Sequence, residues 1–254
     1  MKVSDNHLVT PLYLKLSDNM PWPGQERAFY LLSSDGLFLC RNNPFFQSSV
    51  PVRDWPAELA PHKPSIKLSY PKIPQLLFEK LIGFFAIIGE RHGAEAAALL
   101  AWNRSTNEVE AIVPPQEATV SKSWGGRPYP IDVSYDVPPL DPDLVLIGDI
   151  HSHVDGPAYT SRTDAEDEAH RPGIHIVIGR IFTDPPEIHI EVTVDGSRFR
   201  VKDYTEVIEG YESRRMEEVP SSWIQQVEVK DWFSSYHSDS SYYSSEYGTS
   251  TSYP

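Results

Sequence analysis

Two histidines stand two positions apart in Ile150-His151-Ser152-His153, and a carboxylate, Asp164, follows eleven positions after the second. Neutral imidazole is a common zinc ligand, and a catalytic zinc usually takes three protein ligands while leaving a position for water. Side chains at i and i+2 project from one side of a strand, so His151 and His153 can share one ion. A His-x-His pair by itself is common without a metal, which makes Asp164 the residue that completes the reading. Asp155, Gly156 and Pro157 supply turn chemistry between the pair and Asp164, folding the carboxylate back toward the histidines. Ser161 stands three residues before Asp164, which is also the spacing of a helix N-cap. The two readings are compatible, because a cap would put Asp164 on a first helical turn aimed at a preceding strand end. Zinc in such a site lowers the pKa of water toward ~7 and supplies hydroxide near neutral pH.

The elements that must position these residues follow from periodicity. Leu144 to Ile150 is a short apolar run that reads as a buried central strand delivering the histidines. Ser161 to Arg171 is polar enough for a surface helix, and strands are expected at Ile174 to Phe182 and Ile188 to Val194. Upstream, Leu77, Leu81, Phe84, Phe85 and Ile88 recur at helical spacing, with Gly93 where a C-cap would sit. Ala96 to Trp102 and Val109 to Val113 read as an antiparallel pair, and a proline-bearing stretch from Pro114 to Pro142 precedes the Leu144 run. Ser34-Asp35-Gly36 divides two apolar segments between Arg27 and Asn42, the signature of a hairpin, and six prolines between Phe46 and Pro74 mark a connector. Asp149 could orient a histidine or be a plain strand-end acid. His175 and His189 alternate with isoleucines and read as the wetter strand face, while Asp167 and Glu168 read as a solvated helix face. The order of elements suggests an α+β domain.

Composition narrows the function classes. With 254 residues, 40% hydrophobic and 11% aromatic, the chain can bury one main core with a smaller appended module. The longest apolar candidate, Leu76 to Ile88, is broken by Glu79 and Lys80 and is short of the roughly 18 residues a membrane span needs, so no membrane partner is expected. A formal charge of −14 repels a phosphate backbone, and only Arg214-Arg215 forms a basic pair, so nucleic acid is excluded as a partner. Cys40 is the single cysteine, which rules out an internal disulfide and a cysteine-based zinc site. MKVSDNHLVTPLYLKLSDNM lacks the apolar core of a secretory signal, so the expected location is cytoplasmic. Residues 234–254 collapse to a Ser/Tyr-rich composition expected to be disordered. The expected organisation is an extension and Pro-rich connector over 1–73, a catalytic domain over 74–233, and the tail.

His151-Ser152-His153, seven residues, Ser161, two residues, Asp164 resembles the signature of the JAB/MPN metallopeptidases, often called JAMM proteins. That resemblance, over about residues 74 to 200, implies a cytidine-deaminase-like mixed sheet flanked by helices, here with an N-terminal strand-containing extension. It implies Zn2+ on His151, His153 and Asp164. The family pattern expects a glutamate opening a strand after the first helix, and Glu95 in Gly93-Ala94-Glu95-Ala96 takes that place; on sequence alone Glu90, Glu108 and Glu110 are its rivals. By resemblance Glu95 acts as general base and then acid, and Ser161 donates to the oxyanion. Val154 stands where many members have proline, and alanines follow Glu95 where many have Cys-Gly. Pro157 to Asp164 looks more specifically like bacterial JAB proteins encoded with ubiquitin-like, E1-like and E2-like proteins, including Bil-type antiphage systems. The implied function is removal of a ubiquitin-like protein from conjugates, or processing of its precursor. The alternatives are a non-catalytic MPN scaffold and a small-peptide hydrolase on the same fold.

Overall fold

Residues 10–56, 59–121, 128–168 and 171–232 are described by the computed structural model; the expected tail at 234–254 lies outside them. The chain divides into two units, residues 1–64 and 65–254. In the first, β1 (Leu12–Leu14), β2 (Ala28–Ser33), β3 (Gly36–Asn42) and β4 (Gln47–Pro51) form one sheet in that order. The expected hairpin is present: Ser33 pairs with Gly36 across a two-residue turn, and Gly36 takes φ +121, a conformation open to glycine. Phe29 and Cys40, opposite each other in register, are fully buried, and Tyr13 and Trp22 meet Phe29 edge-on at 5.3 and 5.2 Å.

The second unit opens with α1 (Gln75–His92), which stops at Gly93 in the left-handed conformation as the sequence predicts. Its apolar stripe is wider than an amphipathic helix needs: Phe78, Glu79, Ile82, Gly83, Ala86 and Ile87 are buried as well as Leu81, Phe84, Phe85 and Ile88. The cause is a second layer of cover. Phe84 packs against Trp223 and Phe78 against Tyr211, both from the C-terminal part of the unit. Each fully buried aromatic or aliphatic side chain here contributes about 1.5–3 kcal/mol through apolar area removed from water.

The main sheet has six strands: β5 (Ala97–Asn103), β6 (Glu108–Ile112), β9 (Leu144–Ser152), β10 (Gly173–Gly179), β11 (Glu187–Val194) and β12 (Ser197–Val201), in the order β12-β11-β10-β9-β5-β6. β9 is central, parallel to β10 and antiparallel to β5. Ala98, Leu100, Ile150, Ile176, Ile190 and Val192 turn to one face and join α1 in the core. Register puts Asp149, His151, His175, Glu191 and Arg198 on the other face. Register shifts between Leu100 and Ala101 where they face β9, and there Gly148 takes φ +156; a Cβ on it would lie 1.8 Å from the Ile174 carbonyl oxygen. The sequence reading assigns no element within the proline-bearing stretch 114–142, where β7 (Gln116–Ser121) and β8 (Tyr129–Tyr135) form with β13 (Val227–Asp231) a sheet of order β13-β7-β8. Pro130 lies within β8, paired with Val120 where the register shifts, and the buried positions Gln116, Ala118 and Val120 alternate with half-buried polar ones, too faint a pattern to stand out. α2 (Arg162–Glu168) and α3 (Ser221–Gln225) complete the unit. Among the described residues no helix is long and apolar enough to cross a membrane.

Candidate functional site

β9 carries His151 to the edge of the core, and His153 lies just beyond, its N–H donating to the Ile178 carbonyl at 2.8 Å. The chain then bends sharply. Val154 takes φ +52, a conformation β-branched residues seldom adopt, and is held there by Ile181, whose N–H reaches the Val154 carbonyl at 2.7 Å. The bend brings Gly156 N–H to the His153 carbonyl at 2.8 Å and the Pro157 carbonyl to His153 Nδ1 at 3.1 Å. His153 Nδ1 therefore carries the proton, which leaves its Nε2 lone pair free to bind a metal.

Asp164 reaches the histidines from the first turn of α2. Ser161 and Asp164 cap each other: Asp164 N–H donates to Ser161 Oγ at 3.2 Å, and Ser161 N–H donates to Asp164 Oδ2 at 2.7 Å. The capped carboxylate lies 3.6 Å from both His151 Nε2 and His153 Nε2, and the two Nε2 atoms are 3.2 Å apart. All three residues thus offer a donor atom within 4.8 Å of one another. Two imidazole nitrogens and one carboxylate are a fitting donor set for zinc. Burial works to raise the Asp164 carboxyl, but His151, His153 and Ser161 outweigh it and hold it well below the usual carboxylate range. Burial disfavours a charged His151, and Asp164, Asp149 and Glu95 together reverse that and raise it.

Glu95 stands two residues before β5, where Ala97 pairs with His151, so continuing the register sets it opposite His153. Ser152 and Ala96 extend that pairing, Ser152 N–H donating to the Ala96 carbonyl at 3.0 Å. Burial pushes the Glu95 carboxyl up; His151 and His153 pull it down, Asp164 and Asp132 push it up, and the net direction is up. Glu95 and Asp164 line both a cleft of about 1060 Å³, whose lining includes Tyr129, Ile131, Tyr159 and Phe182, and a smaller cavity of about 350 Å³. Of its sequence rivals, Glu108 and Glu110 lie on β6, away from both cavities, while Glu90 lines the larger cleft alone.

His175 is a correction. Alternation with isoleucine suggested a wet face, yet it is only 2% exposed, because α2 and the residues after it cover that face. Its Nδ1 lies 3.0 Å from Asp149 Oδ1 and its Nε2 3.1 Å from the Arg171 carbonyl. With both nitrogens facing acceptors, the surroundings favour the doubly protonated ring. Burial alone would lower it, and Asp149 and Glu168 raise it instead. Glu168, read from sequence as solvated, is 2% exposed and pairs with Arg198 at 2.6 Å. Asp149, Glu168 and His175 also bring donor atoms within 4.8 Å of one another. Arg171, 3.4 Å from Asp149, and Arg198 already neutralise that cluster, so it is an ion-pair network rather than a second metal site. Sequence reasoning also missed Gln116, whose buried amide accepts from Ala97 N–H at 2.8 Å and donates to the Ala97 carbonyl at 3.0 Å, fixing the start of β5 two residues after Glu95. A glutamine in a run otherwise small or apolar at alternate positions is the only sequence signal for it.

Residues 84–193 match the protein family described as prokaryotic homologs of the JAB domain. No curated protein matches the chain. Among solved structures, the solution structure of protein DSY2949 from Desulfitobacterium hafniense is similar at 16% identity over 58% of this chain and 96% of that one, with a TM-score of 0.33, too slight a likeness to carry a structural argument. The mixed α+β architecture is consistent with a JAB/MPN-like fold, and the match over residues 84–193 supports a bacterial JAB/MPN family.

Proposed function

We propose that this chain is a zinc-dependent peptidase that hydrolyses the isopeptide bond between a ubiquitin-like protein and lysine, or trims the precursor of such a protein. The observation that carries the reading is the convergence of His151, His153 and Asp164 within 4.8 Å, beside a glutamate on the same cleft. Zinc held by these three residues would supply Lewis acidity, acidifying water and polarising a carbonyl. Glu95 takes the proton of the attacking water and returns it to the departing amine as the carbon–nitrogen bond breaks; its upward shift favours that exchange. The Ser161 hydroxyl accepts from Asp164 N–H, which leaves its own proton to donate to the oxygen of the tetrahedral intermediate. The ubiquitin-like substrate, and a place beside E1-like and E2-like partners in a bacterial antiphage system, rest on the motif resemblance over Pro157 to Asp164.

The test is metal content of protein purified without chelator, alongside Asp164→Ala and Glu95→Gln, followed by turnover of a ubiquitin-like protein joined to lysine. We expect about one zinc per wild-type chain, none in Asp164→Ala, and zinc without turnover in Glu95→Gln. No zinc in the wild type after reconstitution would favour a non-catalytic scaffold. Cleavage of short peptides with no action on the protein conjugate would point to the small-peptide hydrolase.

A further inference from the structure

α2 has seven residues, too few to hold a helix in place by its own hydrogen bonds. The capping pair Ser161 and Asp164 shapes its first turn but does not tie that turn to the sheet. We propose that Arg198, on β12 and outside both cavities, is a positioning residue that fixes Asp164 relative to His151 and His153; this rests on reading Asp164 as a metal ligand.

Arg198 shares a sheet face with Glu191, the two lying on adjacent strands in the pairs Thr193 with Arg198 and Glu191 with Arg200. Its guanidinium reaches α2 at two points, donating through Nη2 to the Ala165 carbonyl at 3.0 Å and through Nη1 to Glu168 Oε2 at 2.6 Å. The same Nη1 lies 3.1 Å from Glu191 Oε2, and that oxygen also accepts from Thr160 Oγ1 at 3.1 Å. Thr160 immediately precedes Ser161, and Ala165 immediately follows Asp164. One cation therefore holds the capped turn at both ends. Glu168 extends the hold into the buried cluster, since its carboxylate also lies 3.7 Å from His175 Nδ1. The geometry needs arginine: a planar fork donates in several fixed directions at once, whereas a lysine ammonium keeps the charge without the fork.

Arg198→Lys and Arg198→Ala are compared with wild type in two ways. Amide hydrogen exchange is followed by peptide mass in metal-free protein, and zinc affinity is measured by competition with a chromophoric chelator. We expect exchange over residues 160–168 to rise roughly tenfold in both variants while β5, β9 and β10 keep wild-type protection. Zinc affinity should fall about 10- to 100-fold, the usual effect of losing a residue that orients a metal ligand. Unchanged exchange over 160–168 with affinity within about twofold of wild type would overturn the proposal. So would a rise spread evenly over all strands, which would mark Arg198 as a general stabiliser. A wild-type chain that takes up no zinc would sink the metal reading itself, while the metal-free exchange comparison would still decide whether Arg198 holds the turn.

Discussion

Replacing Glu79 with alanine should loosen the segment that covers α1. Glu79 is fully buried on that helix, and its carboxylate accepts from Gln75 Nε2 at 2.8 Å, from Glu212 N–H at 2.7 Å, from Ser213 N–H at 3.4 Å and from Arg215 Nε at 2.6 Å. Beside it Gly83 lets the backbone at Arg215 come so close that a Cβ would lie 2.6 Å from its carbonyl oxygen. Glu79→Ala leaves two backbone N–H groups without their acceptor. Losing one partner of a buried pair costs about 3–5 kcal/mol. The Arg215 side chain is 38% exposed and also pairs with Glu218, so it can rehydrate, which sets the expected loss near the lower figure, about 3 kcal/mol. In a unit of this size that corresponds to a fall in Tm of roughly 6–12 °C. Glu79→Gln keeps an acceptor for the backbone groups and loses only the charge, so it should cost about half as much.

The same site predicts a pH dependence of known sign. Burial works to raise the Glu79 carboxyl, but Arg215, Gln75 and the two backbone N–H groups outweigh it and lower it from 4.5 to about 2. A depressed folded-state value gives stability that is fully present above the unfolded value and is lost as pH falls from about 4.5 toward about 2. Urea denaturation of wild type and both variants at pH 7 and pH 3 tests this directly. If Glu79→Ala is within about 1 kcal/mol of wild type at pH 7, or if the gap widens on acidification, the account of this anchor is wrong.

Gln116→Ala leaves the buried Ala97 N–H and carbonyl without their side-chain partner and should cost about 1–3 kcal/mol in urea unfolding; a variant as stable as wild type would refute that role. Gly148→Ala forces a Cβ to 1.8 Å from a backbone oxygen and should cost more than about 3 kcal/mol, visible as loss of folded protein in thermal melts. His175, flanked by two acceptors, should show the ring resonances of an imidazolium at pH 7 by NMR. Its contribution relative to His175→Leu should be complete below the ordinary value of 6.5 and disappear as pH rises through its raised folded value.

The parts of this fold with a strong period were legible in the sequence. Leu77 to Ile88 with Gly93 gave α1, and the apolar run ending at Ile150 gave the central strand, because burial on a helical or extended period leaves a dense apolar pattern. The approach of His151, His153 and Asp164 was legible because positions i and i+2 of a strand project to one side and the turn chemistry at Asp155-Gly156-Pro157 folds the chain back toward them. What escaped was set by partners rather than by pattern. Alternation separates the two faces of β10 but cannot say that α2 covers the second, so His175 was assigned to water. β7 and β13 carry few apolar residues, β8 alternates Tyr129, Ile131, Val133 and Tyr135 but is interrupted by Pro130, and β13 pairs with β7 from more than a hundred positions away. Arg198 reaches Ala165 and Glu168, and Gln116 reaches Ala97, across long stretches of chain, so the sequence can mark Gln116 as odd in its run without naming its partner.

The matched segment ends at residue 193, and Arg198 lies beyond it, as do Glu212, Ser213 and Arg215, which hold Glu79, while Glu79 and Gln75 precede its start at 84. A fragment trimmed to those limits would keep His151, His153, Asp164, Glu95 and Ser161 and still lose the cation that brackets the capped turn, a strand of the main sheet, the start of α1 and the residues Tyr211, Arg215 and Trp223 that cover it. The stretch that carries the motif is thus shorter than the stretch that builds the site, and a transplant of the motif alone would carry its chemistry without its aim.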